Sequence, residues 1–144
     1  MKNKVFITYN HSGEVKNAIH DISDQLENMG LSVWLDEQEI KAGDSISEAI
    51  KKALDESSYV IAVVGPNDKN SKWVSKELEF AISEGKRIIP VIASDATVND
   101  LPEIISDYMA VDISNNKNNL IKVYESIDRD RSVWSKIKEY IVNG

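Results

Sequence analysis

Residues 58–64 read SYVIAVV, an apolar run without polar alternation. A strand of this kind has no face to turn toward water, so it belongs at the centre of a parallel sheet covered on both sides. That demand constrains the rest of the chain. A parallel neighbour can be reached only through a long crossover, which is usually a helix, so strands and helices must alternate. The 18 isoleucines and 13 valines, against seven leucines, agree with buried strands more than with an all-helical bundle. Branching at Cβ suits a pleated surface and costs rotamer freedom in a helix.

The alternation is readable along the chain. KVFITY (4–9) predicts a first strand, followed by turn chemistry in Asn10, His11, Ser12 and Gly13. From Glu14 the apolar positions Val15, Ala18, Ile19, Ile22, Leu26 and Met29 recur at spacings of three and four, a helix with Gly30 as its stop. SVWLD (32–36) predicts a second strand and EQEIKAGD a polar loop. There Gly43 permits unusual dihedrals and Asp44 is placed to cap a helix carried by Ile46, Ala49, Ile50, Ala53 and Leu54. After the central run, residues 65–71 form a loop. A helix from about Lys72 to Glu84 then turns Val74, Leu78, Ala81 and Ile82 inward and stops at Gly85. RIIPVIA (87–93) is a fourth strand whose Pro90 asks for an edge or a bulge. YMAVDI (108–113) is a shorter fifth. Leu120, Val123, Tyr124 and Ile127, then Trp134, Ile137 and Ile141, give one long helix or two.

The expected fold is α/β: a flavodoxin-like five-stranded parallel sheet, order 2-1-3-4-5, with helices on both faces and a single domain over residues 1–144. Its ligand crevice lies beyond the carboxyl ends of strands one and three, where the strand order reverses. This points to residues 9–13 and 65–77.

Composition removes several functions. A formal charge of -7 and only three arginines leave no basic footprint for nucleic acid. The absence of cysteine rules out disulfides and thiolate chemistry, and two histidines cannot assemble a His-rich metal centre. No stretch approaches 18 apolar residues and the start shows no signal-peptide pattern, so a cytoplasmic chain without membrane contact is expected. Phosphoacceptor receivers of this strand order need an acidic pair after strand one and an aspartate ending strand three, where this chain has Thr8-Tyr9-Asn10 and Val64-Gly65. YNHSGE is not a flavin phosphate loop, and no GxxxxGK occurs.

From Val5 to about Ile113 the chain resembles a TIR (Toll/interleukin-1 receptor) domain. VFITYNHSGE resembles the family's first box. GLSVWLDEQEIKAGDSISEAI resembles its strand B, BB loop and following helix, and SKWVSKELEFAISEGKRIIPVI resembles its Trp-x-x-x-Glu helix and Ile-Ile-Pro-Val-Ile strand. All three occur in order at the family's spacing.

The resemblance implies a function. In the enzymatic branch the glutamate of Trp-x-x-x-Glu cleaves the nicotinamide–ribose bond of NAD+, and the matching residue is Glu77. Its spacing from Trp73 puts both near one helix face. Taken by itself, Glu77 also reads as one more surface charge beside Lys76 and Glu79. The resemblance places Trp34 beside the nicotinamide, with a core position as the alternative, and Trp73 at the helix as a packing or contact residue. Tyr9, Asn10 and His11 line the first loop, where some enzymatic members carry arginine or lysine toward the phosphates, as this chain does not. Gly43, Asp44 and Ser45 belong to the BB loop side of the substrate. NAD+ would be the substrate and no cofactor is implied. Other TIR domains would be partners through the BB loop, Glu37 to Gly43, in a prokaryotic defence role switched on by self-association. A non-catalytic scaffold is the second reading, and a nucleoside 2-deoxyribosyltransferase-like enzyme the third.

Overall fold

The structure is a computed structural model and describes residues 4–35, 47–70 and 76–127. Five parallel strands form one sheet: β1 (Lys4–Tyr9), β2 (Ser32–Leu35), β3 (Tyr59–Val64), β4 (Arg87–Ile92) and β5 (Val111–Asp112). Their order is β2-β1-β3-β4-β5. Between them run α1 (Ile19–Asn28), α2 (Glu48–Glu56) and α3 (Lys76–Ser83), and residues 121–127 are helical. Fold class and strand order are those read from the sequence.

Every residue of β3 is buried. Alternate residues of the sheet therefore serve two cores. Val5, Ile7, Ile61, Val63 and Val91 pack with Ile19, Ile22 and Leu26 of α1 and with Leu120, Val123 and Ile127. Phe6, Val60, Ala62, Val64 and Ile92 pack with Ile50 and Leu54 of α2 and Leu78 and Ala81 of α3.

Local chemistry sets the helix ends. Gly30 (φ 101°) and Gly85 (φ 71°) both adopt the left-handed conformation that glycine reaches without strain. At each, two backbone bonds close the helix: Leu31 N–H to Leu26 C=O (3.2 Å) with Gly30 N–H to Glu27 C=O (2.9 Å), and Lys86 N–H to Ala81 C=O (3.0 Å) with Gly85 N–H to Ile82 C=O (3.1 Å). At the start of α2, the Ser47 side chain accepts from Ile50 N–H at 3.3 Å, so Ser47 caps the helix expected to be capped by Asp44, which itself lies outside the described residues.

Two boundaries differ from the sequence reading. The first helix is split: a 3-10 turn covers Glu14–Asn17 before α1 begins at Ile19. The tighter turn seats Val15 against Gly65, where an added Cβ would come within 3.3 Å of the valine Cβ. The fifth strand is only Val111–Asp112 rather than 108–113. Tyr108 N–H is instead turned back to Ile105 C=O at 3.2 Å, and Met109 is 91% exposed. The third helix is described from Lys76, so its expected start at Lys72 lies outside the described residues, as does the tail beyond Ile127. Pro90 is accommodated as an edge residue would be. The β4–β5 ladder runs only over Val91↔Val111 and Ile92↔Asp112, while Pro90 pairs in register with Ala62 of β3. Ala93 donates toward β3 and Ile92 accepts from the β5 side, so by alternation the nitrogen of Pro90 faces the β5 side, at a position short of the two paired with β5. Among the described residues no helix is long and apolar enough to cross a membrane.

The two-faced burial of β3 predicts an asymmetric response to truncation. Ile61→Ala, a fully buried site, should lower stability by about 2–5 kcal/mol. Met109→Ala should stay within about 0.5 kcal/mol. Urea unfolding should show the first as a lower midpoint at unchanged slope; equal midpoints for the two variants would contradict this packing.

Candidate active site

Strand order reverses between β1 and β3, and the loops leaving their carboxyl ends, residues 10–13 and 65–70, stand side by side. The sheet ladder between these strands ends at Tyr9↔Val63, so beyond it the two loops must be joined by side chains. Asp68 does this. Its Oδ1 accepts from Asn10 Nδ2 at 3.1 Å and its Oδ2 from Gly65 N–H at 2.8 Å. Asn10 Oδ1 accepts in turn from Ser12 N–H at 3.1 Å, and Gly13 N–H donates to Asn10 C=O at 3.0 Å. On the other side, Asn67 N–H donates to Asp100 Oδ1 at 3.0 Å, and Asp100 also closes a capping box with Thr97. The loop after β3 is thus held from both neighbouring strands.

Two carboxylates are buried among the described residues, and both belong to this end of β3: Asp68, 2% exposed, and Glu77, 5% exposed. Glu77 sits in the first described turn of α3, between half-buried Lys76 and buried Leu78, while Glu79 is exposed. It is therefore not a surface charge. A carboxylate placed out of water costs free energy that an exposed glutamate would not incur, so its position calls for a polar or charged partner.

The sequence candidates separate by face. Trp34 lies half-buried on the α2/α3 face, its ring stacked on Phe6 with centroids 4.8 Å apart and planes at 12°. It shares that face with α3. Tyr9 packs into the opposite core, beside α1, and its ring stacks on His11 at 4.4 Å. Asn10 turns its amide to Asp68 rather than outward. Gly43, Asp44, Ser45 and Trp73 lie outside the described residues. Asp68 escaped the sequence reading because GPNDKNS has the composition of an ordinary exposed turn, and nothing in the letters marks its aspartate as buried. No group of three potential metal ligands occurs among the described residues.

An open recess of about 780 Å³ lies elsewhere, at the amino ends of β3 and β4, bordered by Tyr59, Arg87, Tyr108, Met109 and Lys122. It is the wrong end of a parallel sheet for a ligand crevice and holds neither buried carboxylate.

Burial pushes the Asp68 carboxyl above its ordinary value of 3.8; the bonds from Gly65 and Asn10 pull it back in part, and the Asp100 carboxylate raises it further. The folded chain then binds a proton at Asp68 more tightly than the unfolded chain does, so this group's contribution to stability falls as pH rises through the interval between the two values. The unfolding free energy of the parent, measured against Asp68→Asn, should decline as pH increases from 3.8 and level off above the folded-state value. A difference that grows across that interval would contradict the assignment.

Comparison with known proteins adds a family to this geometry. The family profile described as TIR domain matches residues 5–125. A 2' cyclic ADP-D-ribose synthase from Bacteroides thetaiotaomicron is 30% identical over 112 residues, covering 72% of this chain and 39% of that protein. An NAD(+) hydrolase from Escherichia coli O6:H1 is 31% identical over 87 residues, covering 56% of this chain and 28% of its own length. The chain thus spans well under half of either relative. Among solved structures, the TIR domains of the Roq1 resistosome superpose with a TM-score of 0.61 at 18% identity, over 88% of this chain and 99% of theirs. The TIR domain of a Toll-related receptor from Hydra magnipapillata gives 0.60 at 21% identity, over 88% and 95%. With the profile spanning all five strands and their order reproduced, the chain belongs to the TIR domain family.

Proposed function

We propose that this chain cleaves the bond between nicotinamide and ribose in NAD+, with Glu77 as the catalytic carboxylate. The observation that carries the reading is the burial of Glu77 at the start of α3, beside the point where strand order reverses. Relatives whose names state NAD(+) hydrolysis and 2' cyclic ADP-D-ribose synthesis support the substrate.

One carboxylate suffices for this bond. Glycosidases pair two because the leaving oxygen must be protonated while the sugar cation is stabilised or trapped. The nicotinamide nitrogen of NAD+ is already cationic and takes the bonding electron pair to leave neutral, so no general acid is required. Glu77 would hold the ribose hydroxyls and stabilise the positive charge developing at the anomeric carbon. Water, or an oxygen of the substrate's own adenosine part, then bonds to that carbon and gives up its proton, yielding ADP-ribose or a cyclic isomer. Trp34 would present its face to the nicotinamide cation. Tyr9 and His11 would border the substrate from the first loop, where Asn10 offers only its backbone because its side chain is bonded to Asp68 and Ser12, and Trp73, Gly43, Asp44 and Ser45 would contact it from segments 71–75 and 36–46. No cofactor takes part. The same reading extends to a cytoplasmic defence enzyme that assembles with other copies through residues 37–43.

Nicotinamide release from NAD+ tests the reading. Glu77→Ala, folded as shown by circular dichroism, should lose about 10²–10³-fold or more in kcat. Release by neither protein, even at high concentration with a crowding agent, would leave the interaction scaffold as the reading. For the assembly step, activity per molecule should fall steeply on dilution; strict proportionality to concentration in a monomeric sample would exclude it.

A further inference from the structure

Between Tyr9 and Glu77 the sheet supplies no direct connection. The loop after β1 and the loop after β3 leave adjacent strands, and their last shared ladder position is Tyr9↔Val63. Connecting loops on a surface are ordinarily the mobile parts of a domain, yet a reacting site must hold its walls within fractions of an ångström. We propose that Asp68 is a positioning residue for the Glu77 site: its carboxylate clamps the loop that carries Asn10 and His11 to the loop that leads into α3. The proposal rests on the Glu77 reading.

Three observations carry it. The clamp joins residues 58 apart in sequence, through Asn10 Nδ2 to Asp68 Oδ1 at 3.1 Å. It is also closed at its base, because Asp68 Oδ2 accepts from Gly65 N–H at 2.8 Å, the first backbone amide after β3. Finally, the first loop passes close against it: a Cβ on Gly13 would sit in ordinary van der Waals contact with Asn10 C=O at 3.4 Å and with both Asn10 Nδ2 and Asp68 Oδ1 at 3.5 Å. A turn aspartate serving only its own loop would need the Gly65 bond alone and could remain in water. Asp68 is instead buried, a position that is stable only when its oxygens are bonded.

The bonding pattern offers a reciprocal test. Among the described residues Asp68 accepts from two donors, so Asp68→Asn brings an amide nitrogen against one of them. Asn10→Asp sets two carboxylates in contact. In the double variant Asn10→Asp, Asp68→Asn the new amide oxygen accepts from Gly65 N–H and the new amide nitrogen donates to the carboxylate introduced at position 10. The remaining oxygen of that carboxylate still accepts from Ser12 N–H. Each of these three bonds is re-formed with the central one reversed in sense, and the net charge is unchanged.

Initial rates of nicotinamide release across NAD+ concentrations, with hydrogen exchange at the Gly13 and Gly65 amides, should be measured for the parent, both single variants and the double. A displaced wall should cost each single variant about 10–100-fold in kcat/KM. The double variant should return to within about threefold of the parent. Exchange at both amides should be fast in the single variants and slow in the double. Single variants that exchange fast yet keep parental rates would overturn the proposal, as would a double variant that recovers slow exchange but not rate. Should Asp68→Asn fail to fold, Asn10→Asp and the double variant make the same comparison. If the parent releases no nicotinamide, the glycohydrolase reading falls and with it the positioning role, while the exchange pattern still decides whether the clamp exists.

Discussion

A strand without a solvent face governs this molecule. Because all six residues of β3 are buried, each neighbour must be parallel and reached by a crossover, and each crossover must shield one side of the sheet. The two cores are the two sides of that one strand: Ile61 and Val63 look toward α1, Val60, Ala62 and Val64 toward α2 and α3. The location of the candidate site follows from the same constraint. Having β1 on one side and β4 on the other sends successive connections in opposite directions, and at that reversal the loops that leave β1 and β3 meet through Asn10 and Asp68.

The elements that could be read from the sequence are those whose signal is local. SYVIAVV fixes its own environment, and Gly30 and Gly85 mark helix ends because the left-handed turn they make strongly favours the residue without a Cβ. The split of the first helix was not readable. Val15 and Ile19 keep helical spacing across a 3-10 turn, and the contact that accompanies that turn, Val15 seated on Gly65, lies 50 positions away. Likewise YMAVDI has the composition of a strand, but only Val111 and Asp112 find a partner in β4. Distance in the chain, rather than weakness of pattern, is what hides such features.

At the site the division is the same. Glu77 could be picked out only through the resemblance of its Trp-x-x-x-Glu segment to the TIR family, while its burial could not be foreseen beside two charged neighbours. Asp68 could not be found at all: its importance lies in a bond to Asn10 across the sheet. Trp34 is half-buried and stacked on Phe6 on the face that carries α3, a placement set by the pairing of β1 with β2 rather than by any signal local to its own strand.

Pro90 has a consequence for how the molecule meets other chains. β5 covers only Val91 and Ile92, so the first half of β4 runs along a flank that no described strand covers. Such a flank is a template on which a foreign strand could lengthen the sheet. An incoming strand needs both donors and acceptors in register, and Pro90 deletes a donor from that flank, just before the covered stretch. The residue that looks least suited to a strand thus helps keep the sheet at five.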